Sequence, residues 1–345
     1  MSDVSKIEQF WYSKSIWRWL FLPLSLLVQM IALSKRFLYR INLIKSRQNR
    51  VPVLVVGNIT VGGTGKTPFI NYLVKKLQSK NIKVGIVSRG YKSNAPEYPY
   101  LIKQTDSVEV TGDEAFMQNA TLQVPMVIGF DRAAAVDLLC QTNNLDLIIS
   151  DDGLQHYKMA RAFEILMIDG SRLFGNQLML PVGPLREPVS RMKSVDYVVQ
   201  NGNVENGETI KNLSNGNVPL ASMSLKVTGL ININSNQSVE LDASKATSIT
   251  AVAGIGNPQR FFTSLSKFCD RPVEDIDTKV FPDHHGFQLD DFQSINSDIV
   301  VMTEKDAVKC ESFAQDNWYY LKVEAELSEK DFVSLFELIK TELKN

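Results

Sequence analysis

The sequence predicts an α/β protein in two units, preceded by an apolar and basic helical segment. Three observations carry this. Short hydrophobic runs alternate with amphipathic stretches from Val53 onward. A Gly-rich turn joins the first run to the first helical stretch, and a polar, Asn- and Gly-rich stretch at 201–218 interrupts the alternation before it resumes. Strands alternating with helices imply right-handed βαβ units and a parallel sheet. A length of 345 residues suits two domains, and 44% hydrophobic against 22% charged residues excludes a disordered or fibrous chain. The expected organisation is an N-terminal segment over 1–50 belonging to the first domain, a main domain over 51–200, a linker over 201–218, and a smaller C-terminal α/β domain over 219–345.

Residues 16–33 read IWRWLFLPLSLLVQMIAL, broken by Arg18, Pro23, Ser25 and Gln29. A spanning helix needs about 20 apolar residues, so this 18-residue run is borderline. No small-residue cleavage site follows it, as a secretory signal would require. Trp11, Trp17 and Trp19 flank one end and a basic cluster at 35–50 flanks the other. Aromatic rings favour the membrane interface, and Lys and Arg favour anionic headgroups. The segment therefore reads as an interfacial helix, or helix pair, on the cytoplasmic leaflet, ahead of a buried core helix or a true span. Residues 9–96 contain fifteen Lys or Arg and no Asp or Glu, within a chain of net charge −1. Such one-signed charge calls for an anionic partner. Because it overlaps the apolar run, it points to anionic lipid and away from nucleic acid. No protein partner is predicted. Cys140, Cys269 and Cys310 are too far apart for a CxxC site, and their odd number argues against a disulfide framework, as in a reducing compartment.

The main unit opens with a buried strand over 53–56, then a helix from about 68 to 77 and a strand over 83–87. A loop over 92–107 leads to a helix over 113–120, a strand over 126–128 and a helix over 132–141. Strands follow over 145–149, 163–168 and 196–199. In the C-terminal unit the clearest parts are a strand over 249–253, a turn over 254–258 and a helix from 259. Strands over 299–302 and 318–323 and a terminal helix from about 328 complete it.

The chemistry-bearing segment of highest specificity is Gly62-Gly63-Thr64-Gly65-Lys66-Thr67, between the first strand and the first helix. Glycines there let successive backbone N–H groups face phosphate oxygens, and the helix N-terminus adds its dipole. Thr60, Val61, Gly62, Gly63, Thr64, Gly65, Lys66 and Thr67 are thus the expected nucleotide-phosphate loop, with Lys66 on the β/γ-phosphates and Thr67 on Mg²⁺. The strict Walker pattern wants Gly at position 60, where this chain has Thr60. The Gly-Gly-x-Gly-Lys-Thr core resembles variant P-loop ATPases that act as membrane-bound switches or positioning proteins. Those carry a second lysine before the glycines, where this chain has Val61. The fold class is therefore a P-loop nucleoside-triphosphatase-type parallel sheet.

Leu147 to Asp152 is a hydrophobic stretch ending in two carboxylates. Alone it could be a turn; beside a phosphate loop, Asp151 and Asp152 occupy the position that holds Mg²⁺. His156, His284 and His285 lie near aspartates, a setting that suits either a general base or inert surface histidines. Asp113 opens a helix and is either a base or an N-cap. Arg186, in the rigid loop Gly183-Pro184-Leu185-Arg186-Glu187-Pro188, suits a phosphate. Thr303-Glu304-Lys305-Asp306 closes a strand.

Taken together, Gly57 to Pro68, Ser88-Arg89-Gly90-Tyr91, Gly112-Asp113-Glu114, Asp151 to His156, Gly183 to Glu187, Gly254 to Pro258, Phe281-Pro282-Asp283-His284 and Thr303 to Lys309 resemble, in order, the tetraacyldisaccharide 4′-kinase family, the lipid A 4′-kinases of Gram-negative bacteria. The resemblance implies ATP and Mg²⁺ as cofactors. It implies phosphoryl transfer to the 4′-hydroxyl of an acylated glucosamine disaccharide 1-phosphate, giving lipid IVA, at the cytoplasmic face of the inner membrane. It further implies Asp113 as the base, supported by His284 from the second domain, with Lys66 on the phosphates. Arg186, His156 and Glu114 are then candidates for substrate or transition-state charge.

Overall fold

The computed structural model describes residues 11, 18–202, 207–213, 216–239 and 248–343, the side chains of 18, 19, 207 and 208 excepted. β1 (Val53–Gly57) lies between β5 (Leu147–Asp151) and β6 (Phe163–Asp169), all parallel. β2 (Val84–Ser88) and β4 (Met126–Ile128) extend the sheet beyond β5, and β7 (Tyr197–Asn201) extends it beyond β6. Every residue of β1, β2, β5, β6 and β7 is buried. That is why these strands read as continuous apolar runs: both faces are covered. α2 (Lys66–Gln78) packs Phe69, Ile70, Leu73 and Leu77 on one face, and α5 (Arg132–Thr142) packs Val136 and Leu139 on the other.

A long strand joins this half to the next. β8 (Leu220–Asn232) pairs in parallel with β7 over Leu220 to Met223, then antiparallel with β13 (Trp318–Leu327). β13 in turn pairs in parallel with β12 (Ile299–Thr303), which leads to β10 (Ile249–Ala253) and β11 (Asp277–Val280). The sheet is thus continuous through both halves. α7 (Pro258–Cys269) covers one face of the second half with Phe261, Phe262 and Leu265, and Phe292, Met302 and Trp318 fill the other. The terminal helix α9 (Glu329–Leu343) returns to the first half, burying Leu335 and Ile339 there.

Two stretches expected as loop or linker carry regular structure. The loop over 92–107 carries a two-residue strand, β3 (Tyr100–Leu101), antiparallel to β4, ahead of the short helix α3 (Val108–Thr111); farther on, β9 (Ser238–Val239) lies antiparallel to β8. The linker stretch carries α6 (Gly207–Leu213), whose Ile210 is buried beside Met192 and Val195. Two apolar residues three apart, Ile210 and Leu213, among polar ones are too thin a periodic signal to announce a helix. Cys269 and Cys310 are buried, Cys140 is partly so, and all three are free.

The N-terminal helix α1 (Arg18–Arg40) lies along the body of the first half. The Ser25 hydroxyl donates to the Met179 carbonyl at 2.8 Å, and Arg36 donates to Ser194 Oγ at 2.5 Å. Tyr39 stacks on Tyr157, and Val28 and Ala32 touch the core under α5. The opposite side exposes Leu20, Phe21, Leu24, Leu27, Met30 and Ile31, each at 45% or more. Trp11 is buried, its indole N–H donating to the Pro181 carbonyl at 2.9 Å. Trp17 and the side chain of Trp19 lie outside the described residues.

Candidate active site

The phosphate loop follows the C-terminal end of β1, where parallel α/β sheets place their ligands. Gly65 takes the left-handed conformation (φ 86°) and caps α2. A Cβ there would collide with the Asn201 amide, which itself donates to the Thr64 carbonyl at 3.0 Å. Arg260 donates to Asn201 Oδ1 at 2.7 Å, so a residue of the C-terminal half steadies the loop. From the other side, the Val61 N–H donates to the Pro184 carbonyl (2.8 Å) and the Arg186 N–H to the Ile59 carbonyl (2.7 Å). The loop around Arg186 is therefore stitched to the phosphate loop. This backbone pairing delivers the Arg186 guanidinium to Asp152 Oδ2 at 2.8 Å.

Lys66 donates to Asn58 Oδ1 at 3.0 Å and lies 3.5 Å from Asp152 Oδ1. Burial would raise the Asp152 pKa, but Lys66 and Arg186 outweigh it and hold the carboxyl well below the usual range. Asp151 behaves oppositely. Burial pushes its pKa up to about 7, and Asp151 Oδ1 has no hydrogen-bond partner. A buried, orphaned carboxylate oxygen at the end of β5 fits a cation. Among the described residues no three His, Cys, Asp or Glu side chains converge as a metal cage. Mg²⁺ is commonly held through one or two carboxylates, waters and substrate phosphates, so the carboxylates of Asp151 and Asp152 fit that ion without a protein cage.

His156 is pushed down to about 4, chiefly by burial and then by Arg132, so its ring is neutral near pH 7. Arg132 was not anticipated from sequence. It is 2% exposed and bonds the Gly129 (2.6 Å) and Asp151 (3.1 Å) carbonyls, anchoring the end of β5. Glu187 accepts from Gln155 at 2.9 Å and from Tyr157 at 2.6 Å, which ties the segment at 151–157 to the Arg186 loop.

A second cluster forms where the halves meet. Asp113 opens α4 (Asp113–Leu122), and its Oδ2 is 2.9 Å from His284 Nδ1. The sequence neighbour Asp283 is farther, 3.9 Å from His284 Nε2. His285 turns away and pairs with Asp291 at 2.9 Å. Tyr91 packs on the His284 ring with centroids 4.5 Å apart, and Lys92 donates to the His284 carbonyl at 2.7 Å. Gly112, at φ 81°, faces the Tyr91 carbonyl so closely that a Cβ would collide with it. Burial would raise the Asp113 pKa. The His284 bond, Lys305 and Lys309 outweigh it, so Asp113 stays ionised. Lys305 and Lys309 sit on α8 (Glu304–Ala307) and just beyond it, in a segment whose sequence gave no role. Glu114 accepts from Lys305 at 3.1 Å and also adds to the upward shift of Asp151, so it stands between the two clusters.

The tetraacyldisaccharide-1-P 4′-kinase family model matches residues 17–341. This chain belongs to that family. Family members named tetraacyldisaccharide 4′-kinase from Histophilus somni (strain 2336) and Pasteurella multocida (strain Pm70) are 42% and 43% identical to it. The first aligns over 97% of this chain and 98% of its own length, the second over 96% and 99%. A crystal structure of LpxK from Aquifex aeolicus in complex with ATP superposes with a TM-score of 0.78 at 28% identity, over 95% of this chain and 100% of that one. Membership of the 4′-kinase family disfavours the switch-ATPase alternative. It also agrees with the fold class expected from sequence.

Proposed function

We propose that this chain transfers the γ-phosphate of ATP to the 4′-hydroxyl of a tetraacylated glucosamine disaccharide 1-phosphate, forming lipid IVA. The observation that carries this reading is the pairing of Asp113 with His284 across the two halves, beside a complete phosphate loop, in a chain of the 4′-kinase family. Lys66, Arg186 and the loop amides neutralise and orient the triphosphate. Thr67, Asp151 and Asp152 would hold Mg²⁺, which when bound neutralises charge on the phosphates. Asp113 takes the 4′-hydroxyl proton while the sugar oxygen bonds to the γ-phosphorus and the bond to the β–γ bridging oxygen breaks, leaving ADP. His284 orients Asp113. Neutral His156 can offer substrate a hydrogen bond but no charge, and Glu114 acts through its bond to Lys305.

The acceptor is an anionic lipid, and α1 fits that. Its inner side is fixed to the body, whereas its outer side offers Leu24, Leu27 and Ile31 to the surroundings. A helix docked along its length beside a basic stretch suits an interfacial position on an anionic leaflet. ATP places that leaflet at the cytoplasmic face of the inner membrane. The test is thin-layer separation after incubation with γ-labelled ATP and the disaccharide 1-phosphate. Label should appear in a lipid with one more phosphate. ATP hydrolysis indifferent to the lipid acceptor would overturn the reading.

A further inference from the structure

Lys305 lies at the centre of the acid–base cluster. Its Nζ is 3.1 Å from His284 Nε2, 3.1 Å from Glu114 Oε1 and 3.3 Å from Asp283 Oδ1. The other ring nitrogen, His284 Nδ1, is 2.9 Å from Asp113 Oδ2. An ammonium has donors only, so the nitrogen facing it must accept. The single proton of a neutral ring is then on Nδ1, where it donates to the Asp113 carboxylate. Burial alone would lower the Lys305 pKa; Glu114, Asp113 and Asp283 outweigh it and raise it, so the ammonium persists.

We infer that Lys305 is a positioning residue whose ammonium fixes His284 as the neutral Nδ1–H tautomer and thereby leaves Asp113 ionised and oriented. A second proton on His284 would turn Nε2 from acceptor to donor and set two cations face to face. It would also weaken Asp113 as a base. Every charged or titratable neighbour of His284 bears on this: Asp113 and Glu114 from α4, Asp283 from its own loop, Lys305 and Lys309 from the α8 segment, and Tyr91 and Lys92 from the loop after β2. With Lys305 removed, two carboxylates remain close to the ring, and Lys309 sits on Asp113 at 3.6 Å. Nε2 then faces no ammonium, and nothing obliges it to be the accepting nitrogen.

This inference rests on the proposed catalytic reading of the Asp113–His284 pair, and the experiment separates the two. The chain has three histidines, so ¹⁵N-histidine labelling gives few signals, and His284→Gln assigns the relevant one. In the unaltered full-length protein the ¹⁵N shifts should place the His284 proton on Nδ1. In Lys305→Met at the same pH that Nδ1–H signature should be lost, kcat should fall with KM for ATP held, and Lys305→Arg should restore both. An Nε2–H tautomer in the unaltered protein, or an unchanged Nδ1–H signature in Lys305→Met, overturns the inference. A lost signature with an unchanged kcat supports it and instead overturns the catalytic reading of the pair. If Lys305→Met does not fold, the tautomer in the unaltered protein still decides.

Discussion

The two clusters of the site are built in opposite ways. The phosphate loop is one contiguous stretch, Gly57 to Thr67, held between a strand and a helix that pack in the same half. The acid–base cluster draws Tyr91, Asp113, His284 and Lys305 from four separate segments, and no two of its principal partners are sequence neighbours. The phosphate loop is thus written locally in one half, with Arg260 of the other steadying it through Asn201. On the proposed reading, the groups for proton transfer come together only when both halves are in place.

The largest effect should come from the contiguous cluster. Lys66→Ala removes the only lysine on Asn58 and Asp152 among the described residues, and transfer should fall by at least about 10³-fold. Near-normal turnover in the labelled-ATP assay would break the comparison at its firmer end. Next comes the assembled cluster. Asp113→Ala should lower kcat by about 10²–10⁴-fold with little change in KM for ATP. His284→Ala should lower kcat by less, and the double variant should be little worse than Asp113→Ala alone. Fully multiplicative losses would show that the two residues act independently and would move His284 to substrate binding.

A third test exploits Asp151. Its folded-state pKa lies above the ordinary 3.8, at about 7, so the folded chain binds that proton more tightly than the unfolded chain. Stability therefore falls as pH rises from about 4 to about 7. In Mg²⁺-free, nucleotide-free buffer, Asp151→Asn should raise Tm at pH 8 by on the order of 5 °C and leave it near the parent value at pH 4. A gain that does not depend on pH would mean that charge burial is not the cause. The smallest effect concerns α1. Leu24→Ser, Leu27→Ser and Ile31→Ser together alter only its exposed side, and should reduce co-sedimentation with anionic vesicles while sparing Tm. High salt should release only part of the unaltered protein, because the apolar contribution is not screened.

The nucleotide end was legible because each of its needs is written in adjacent residues. Glycines that free the backbone, a lysine and a hydroxyl are contiguous from Gly62 to Thr67, and the strand ending in Asp151 and Asp152 is a second short pattern legible by itself. The strands of the first half were legible for a related reason: burial on both faces leaves an uninterrupted apolar run. β8 was not, because its Lys226 and Thr228 interrupt the apolar signal and its pairing switches partner midway. The Arg186 loop read as a phosphate site, yet its backbone bonds to Ile59 and Val61 could not be inferred from its own sequence.

By itself, the sequence determined the sheet's parallel first half, the phosphate loop, the amphipathic character of the N-terminus and the residue types available for acid–base chemistry. Those are consequences of periodicity and local backbone chemistry, which act over a few residues. Only the tertiary structure decided which aspartate His284 meets, that His285 turns to Asp291, and that Lys305 occupies the remaining ring nitrogen. Hydrogen-bond partners and proton positions are set by distances of about 3 Å between side chains more than 150 residues apart, as for Asp113 and His284, and by the loss of water around them. No local pattern encodes such distances; they arise when β8 and β13 carry the second half of the sheet against the first.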